Sequence, residues 1–416
     1  MMKDTDSEEL PLALIRIGRS SIGRMLGWLF RPVSPRGWLW SVGVSIAFLL
    51  LVIGVFNYTV DSKLFFLSGG TKEVIRQGAE NVMEGRAVVL LPIDNLEQRF
   101  FQRCVIEAMD APRECVVLGS SRVQFVSSGS LGMDSREVFN HSIPASGIKD
   151  MVAVLGMYRR EHGRYPDRII LGLDPWMFEP YETEFRWVSA LDDYRAAAGG
   201  IWASRGWSGE GILAGFLYAR KVWRLVDWGY TRDNLKALIK GESKSRLLLS
   251  VDPGKVDEVP YHVIYPDGSR EWAFPREPDG SGSAESARTL GLDHAASRKP
   301  DFGFQDKRLR MLRDVIRHLQ ESGVEVQVLI PPMHPDYIGC LGASDYLESL
   351  RRLDAQLVDL CGDLQVERMG GFTAIDGLAP GDFFDSSHPA KWVYDRLLSS
   401  ISGNPSSSGV QDEPSD

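Results

Sequence analysis

Cysteine is scarce in this chain: four residues in 416, at Cys104, Cys115, Cys340 and Cys361, with no CxxC pair. That excludes a disulfide-dense scaffold and a thiolate zinc site, and pairing among the four is not readable. Cys115 opens a strand pattern and reads as a small buried hydrophobe. Five of the seven histidines, His141, His162, His262, His294 and His318, are scattered without metal-ligand spacing. There is no HExxH, no GxxxxGK[ST], no GxGxxG after a strand and no GxSxG elbow, so no metal and no cofactor is implied. Positive charge is also short, with 47 Lys/Arg against 56 Asp/Glu and a net charge of −9. Beyond residue 58 the balance falls to −11, which repels phosphate backbones and excludes nucleic acid as a partner.

What the chain does have is one long uncharged run, Gly37 to Phe56, twenty residues that just span a bilayer core as a helix. Trp38 and Trp40 stand at one end and Tyr58 at the other, at headgroup level. Arg16, Arg19, Arg24, Arg31 and Arg36 precede the run, favouring a cytoplasmic N-terminus. A cleaved signal peptide fits poorly, because the run is long, begins 36 residues in, and Asn57–Asp61 is no small-residue cleavage site. The expected organisation is a cytoplasmic segment at 1–36, a transmembrane helix at 37–58 and an extracytoplasmic domain at 59–401. A Ser/Gly/Pro-rich, disordered tail follows at 402–416. The chain is then a single-pass protein of a bacterial inner membrane with its main domain in the periplasm. Upstream, Leu12, Leu14, Ile15 and Ile17 interleave with Arg16 and Arg19, which reads either as a basic helix on anionic lipid or as a solvated arm.

Three apolar runs, Cys115–Gly119, Arg168–Leu173 and Glu325–Pro331, read as parallel strands buried on both faces, and Glu137–His141 as a weaker one. Helical periodicity at Ile148–Glu161, Gln305–Glu321 and Tyr346–Leu360 alternates with them, predicting a doubly wound α/β sheet. Between Glu179 and Phe304 the pattern breaks into a tryptophan-rich stretch, a helical piece near Gly211–Val226 and a loop-like run from Pro275. It reads as an insertion on one face of the sheet.

Gly119-Ser120-Ser121-Arg122 follows the first buried strand, placing a serine above the C-terminal edge of the sheet where helix-opening N–H groups stabilise an oxyanion. Near the other end, Asp385-Ser386-Ser387-His388-Pro389 precedes an amphipathic stretch, Ala390–Leu398, with Pro389 expected at its first helical position. An aspartate three residues before a histidine can bond one imidazole nitrogen and leave the other to take a proton from a serine. The bland reading is that Asp385 or Ser387 caps the helix and His388 is solvated. His334, in Pro331-Pro332-Met333-His334-Pro335, stands at the same sheet edge, either as a substrate contact or rival base, or as a packed histidine. Asp174 and Trp176 end a third strand there, suited to a substrate hydroxyl and to stacking on a sugar, or to the core. Arg122 pairs either with an anionic polymer or with Asp174 or a backbone carbonyl.

A serine after the first sheet strand and Asp-x-x-His before the last helix is a layout that resembles the SGNH (GDSL-like) hydrolase superfamily. The family's first block maps to Gly119-Ser120-Ser121, making Ser121 the nucleophile, and its last to Asp385 and His388. The second, Asn-x-x-x-x-Gly, maps to Asn140 through Ala145, with alanine in place of glycine where a backbone N–H serves. The third maps loosely to Gly172-Leu173-Asp174, without the oxyanion-hole asparagine. The resemblance covers about residues 113–178 and 303–400, and is nearest to membrane-anchored branches: the alginate O-acetylation proteins and the transfer protein of teichoic-acid D-alanylation. It implies an SGNH/flavodoxin-like fold and movement or removal of acyl groups on an envelope polysaccharide, often beside a multispanning membrane acyltransferase. The alternative is a non-catalytic SGNH-like subunit of a polysaccharide export or modification complex.

Overall fold

The computed structural model describes residues 34–62, 66, 70–90, 98–179, 186–202, 216, 219, 222–240, 248–251, 262–271, 280–297, 304–342, 344–374 and 376–399. The basic N-terminal arm, the C-terminal tail, most of the helical piece near Gly211–Val226 and most of the run from Pro275 lie outside the described residues.

Helix α1, Pro35–Val60, contains the predicted span and is longer by two residues at each end. Pro35 occupies its first turn, Ser34 accepts the Gly37 N–H at 3.2 Å, and Asp61 closes it in a left-handed conformation. At 1.5 Å per residue it is about 39 Å long. Among the described residues nothing buries its apolar window, unlike a core helix, and it is long and apolar enough to cross a membrane.

The body of the protein is a mixed α/β fold. Its nine described strands are β1 (Ala87–Leu90), β2 (Cys115–Leu118), β3 (Val138–Asn140), β4 (Arg168–Gly172), β5 (Leu248–Val251), β6 (His262–Ile264), β7 (Arg270–Glu271), β8 (Glu325–Ile330) and β9 (Glu367–Gly370). Strands β3-β2-β4-β8-β9 form an all-parallel sheet in that order. Counted within the sheet this is 2-1-3-4-5, a doubly wound order whose direction reverses between β2 and β4.

Alternation along the strands feeds two cores. Val116, Leu118, Ile169, Leu171, Val328 and Ile330 point to one face, Cys115, Val117, Ile170, Leu329 and Met369 to the other. The larger face is covered by helices α2 (Thr71–Met83), α3 (Gln98–Ala108), α4 (Ile148–His162), α5 (Leu191–Ile201) and three that follow a further helix, α6 (Trp228–Ile239). These three are α7 (Ser281–Ser297), α8 (Asp306–Glu321) and α10 (Asp345–Leu364), with the short α9 (Pro335–Leu341) between the last two. The smaller face is covered by α11 (Lys391–Leu398), through Tyr394 and Leu398, and by a single turn at Ser128–Leu131. Pro389 is not at the start of α11, as expected from sequence. It forms an isolated bridge with Phe383, and the helix opens two residues later behind the Ala390 N-cap.

The segment read as an insertion supplies three strands of a second, antiparallel sheet of order β5-β1-β6-β7. The β6–β7 hairpin returns to the main sheet: Asn140 N–H donates to Asp267 O and Arg270 N–H to Gln124 O, both at 2.8 Å. Gly268, at φ 75°, makes the approach possible, since a Cβ there would stand 2.6 Å from the Asn140 carbonyl oxygen. Among the described residues the cysteines are free thiols, three of them buried. Burial pushes Cys115 up to about 12.

Candidate active site

The loops leaving the C-terminal ends of β2, β4 and β8 converge where the strand order reverses. After β2 the chain turns through Gly119 into a short 3-10 helix, Ser121–Val123. Val123 wedges between two strand ends: a Cβ on Gly119 would stand 2.5 Å from its Cγ2, and one on Gly172 would stand 2.6 Å from its Cγ1. The two glycines therefore let this helix sit directly on the sheet and present its first residue.

The adjacent serines do different work. Ser120 is buried, caps the 3-10 helix by accepting the Arg122 N–H at 3.1 Å, and donates its hydroxyl to Asp174. Ser121 is half-exposed, and its Oγ lies 2.9 Å from Nε2 of His388.

His388 comes from a loop closed on itself. Phe384 N–H donates to His388 O at 2.9 Å and Ala390 N–H to Asp382 O at 2.7 Å, while the Phe384 ring stacks on Phe125 with centroids 4.9 Å apart. At its tip, the carboxylate of Asp385 lies 2.8 and 2.9 Å from His388 Nδ1 and accepts the backbone N–H groups of Ser387 and His388. Burial alone would raise this carboxyl. The bond to His388, its charge and the two N–H donors outweigh that and hold the carboxyl at about 2, so Asp385 is an anion. An anionic acceptor at Nδ1 keeps the proton there and turns the lone pair of Nε2 toward the Ser121 hydroxyl.

Arg122 ties these parts together. Its Nη1 pairs with Asp174 at 2.8 Å, its Nη2 donates to the carbonyls of Pro331 and Pro332 at 2.8 and 2.6 Å, and its Nε donates to the Ser387 carbonyl at 2.9 Å. Tyr394 in turn donates to the carbonyl of Arg122. One buried guanidinium thus joins the ends of β4 and β8 to the histidine loop.

Of the sequence-predicted residues, Ser121, His388 and Asp385 form one continuous hydrogen-bonded relay, whereas Arg122 and Asp174 pair with each other below it, Arg122 also with backbone carbonyls and Asp174 also with the Ser120 hydroxyl. Ala145 lies in a turn held on the site loop by the bond from Ile143 N–H to Gly119 O, 2.9 Å. It adopts φ 55°, the left-handed region that favours glycine. Among the described residues no protein acceptor takes the N–H of Ser121 or of Ala145. Trp176 is half-buried against the larger core.

His334 is apart from the relay. It is fully buried, its Nδ1 accepts the Asp336 N–H at 3.1 Å, and its Nε2 faces Ser283 Oγ at 3.4 Å. An accepting Nδ1 leaves the ring proton on Nε2. Burial, helped by Arg288 and opposed by Asp336 and Asp385, holds its pKa below the usual imidazole value. Its geometry is that of a helix cap for α9, not of a base for Ser121.

Sequence reasoning missed Val123, Tyr394 and the Ser387 carbonyl, which act through contacts across the chain and leave no local motif. No group of three or more His, Cys, Asp or Glu suited to a metal ion occurs among the described residues. Comparison with known proteins finds no matching family model and no matching curated relative.

Proposed function

We propose that this chain is a membrane-anchored serine acyltransferase or esterase of SGNH type, acting on O-acyl groups of a cell-envelope polysaccharide. The observation that carries the reading is the relay Ser121 Oγ–His388 Nε2–His388 Nδ1–Asp385, closed at 2.9 and 2.8 Å. In this reading His388 takes the Ser121 proton as Oγ attacks the acyl carbonyl, and Asp385 supports the imidazolium. His388 then protonates the departing alkoxide, leaving an acyl-serine that a water or a sugar hydroxyl resolves. The N–H groups of Ser121 and Ala145 serve as the oxyanion donors, in the absence of an asparagine at the third block. Asp174 takes no part, since its carboxylate is occupied by Ser120 and Arg122.

The 2-1-3-4-5 sheet with the serine after its first strand supports the SGNH assignment, as does the glycine-type φ at Ala145. The uncovered α1 and the arginines before it support a bitopic inner-membrane protein with the domain in the periplasm, where polymer and a multispanning acyl donor would meet it. The test is turnover of acetyl esters and of acetylated polysaccharide by the full chain in detergent. Turnover that disappears in Ser121→Ala and His388→Ala, both folded, supports the enzyme. A wild type that is inert even with acceptor sugar supplied favours the non-catalytic subunit.

A further inference from the structure

The C-terminal end of α1 is bolted to the segment 222–239. Asn57 Nδ2 donates to Leu225 O and to Thr231 Oγ1, both at 2.8 Å, and Asn234 Nδ2 donates to Asn57 Oδ1 at 3.0 Å. Ser62 donates through N–H and hydroxyl to Asn234 Oδ1 at 2.9 and 2.6 Å, and the Tyr230 hydroxyl donates to Asp61 Oδ1 at 2.6 Å. Asn57, Asp61 and Asn234 are fully buried. Lower down, Leu225 packs at Gly54, where an added Cβ would lie 3.9 Å from it. Gly54 lies inside the uncharged run that ends at Phe56, six residues or about 9 Å before the end of α1.

This fixes the level of a group of bare apolar side chains. On α6 the buried residues are Tyr230, Asn234 and Ala237. The opposite stripe carries Trp228, Leu235, Leu238 and Ile239, with Trp228 75% and Ile239 76% exposed. Trp223, beside Leu225, is 70% exposed. Arg232 and Lys236, both exposed, flank the stripe on one side by helical periodicity. A tryptophan-bearing apolar stripe edged by cations, on a helix running beside the end of an uncovered apolar span, has the chemistry of the headgroup–acyl boundary.

We propose that 222–239 is an interfacial segment, with α6 lying in the outer leaflet of the membrane that α1 crosses and phospholipid as its occupant. This rests on the reading of α1 as a membrane span. The hydrogen-bonded junction makes span and interfacial helix one unit, so the depth of the span in the bilayer sets the level of the apolar stripe on α6.

The test places nitroxide labels on single cysteines, in a Cys340→Ser background, of the full chain in vesicles of phosphatidylcholine and phosphatidylglycerol, 3:1. Labels at Leu50→Cys, Leu235→Cys, Ile239→Cys and Glu107→Cys are compared for collision with oxygen and with a water-soluble nickel chelate. The expected result is oxygen-favoured collision at 50, 235 and 239, deepest at 50, and the inverse ratio at the exposed Glu107 position. Labels at 235 and 239 that match 107 while 50 is immersed overturn the interfacial helix alone, and leave its face to a protein partner. Nickel-favoured collision at 50 overturns the span and this proposal with it.

Discussion

Arg122, the residue after Ser121, donates from Nε to the carbonyl of Ser387, the residue before His388. The neighbours of the nucleophile and of the base are thereby joined by one hydrogen bond of 2.9 Å, across 265 positions of sequence. Because the same guanidinium is anchored by Asp174 and by two proline carbonyls, the spacing of serine and histidine is set from below the site.

Arg122 is thus a positioning residue. Arg122→Lys keeps the charge beside Asp174 but cannot reach four acceptors, and kcat on an ester is expected to fall with KM little changed. Arg122→Met strands a buried carboxylate at a cost of about 3–5 kcal/mol. Adding Asp174→Asn should restore much of that stability without restoring kcat. Recovery of kcat in the double variant would reduce Arg122 to a stability element.

The paired serines make a second contrast. Ser121→Ala should lower kcat by about 10⁴-fold or more. Ser120→Ala removes a donor to a buried carboxylate and should cost about 1–3 kcal/mol of stability while leaving substantial turnover. Chemical denaturation beside ester kinetics separates the two, and the reverse assignment of effects would make Ser120 the nucleophile.

At Ala145 the left-handed backbone costs about 1 kcal/mol for a residue with a Cβ. Ala145→Gly should raise the denaturation midpoint and leave turnover intact, because the amide N–H is unchanged. A lowered midpoint would show that the extra freedom of glycine in the unfolded chain outweighs the relief.

The pH dependence of stability has a traceable component. His141 is fully buried, its Nδ1 against Gln102 Oε1 and its Nε2 against the Tyr158 hydroxyl, each at 2.6 Å. Burial, with Arg113 adding, lowers its pKa from 6.5 to about 3. The folded value lies below the unfolded one, so the unfolded chain takes the proton first. The contribution is whole above pH 6.5 and is lost as pH falls toward 3, by up to about 1.4 kcal/mol per pH unit. His141→Gln should flatten the stability curve in that window. An unchanged slope would mean that His141 is charged in the folded protein.

Much of this architecture is legible in the sequence, and the limits are physical. Strands β2, β4 and β8 are continuous apolar runs because both faces of the sheet are covered, and their observed ends fall within a residue of the expected ones. Strand β9, Glu-Arg-Met-Gly at the sheet edge, has no such run to betray it. The second sheet escapes notice because β1 pairs with strands about 160 to 175 residues away. Ser121, Asp385 and His388 carry local motifs. The work of Arg122 comes from partners at 174, 331, 332 and 387, which no local pattern reports. The fate of His334 depends on which way a side chain turns at a strand end, and Asp336 and Ser283 decide it. Helix α6, Trp228–Ile239, lies past the helical piece expected near Gly211–Val226, in the stretch where the pattern breaks, because its apolar stripe is exposed and not packed on the sheet.

The most direct test of the central claim is covalent trapping of the full chain with a fluorophosphonate, read by peptide mass spectrometry. A serine activated by His388 should carry the adduct at Ser121 alone, and labelling should collapse in His388→Ala while Ser120→Ala still reacts. An unlabelled Ser121 in the folded wild type, or labelling indifferent to His388, would contradict it.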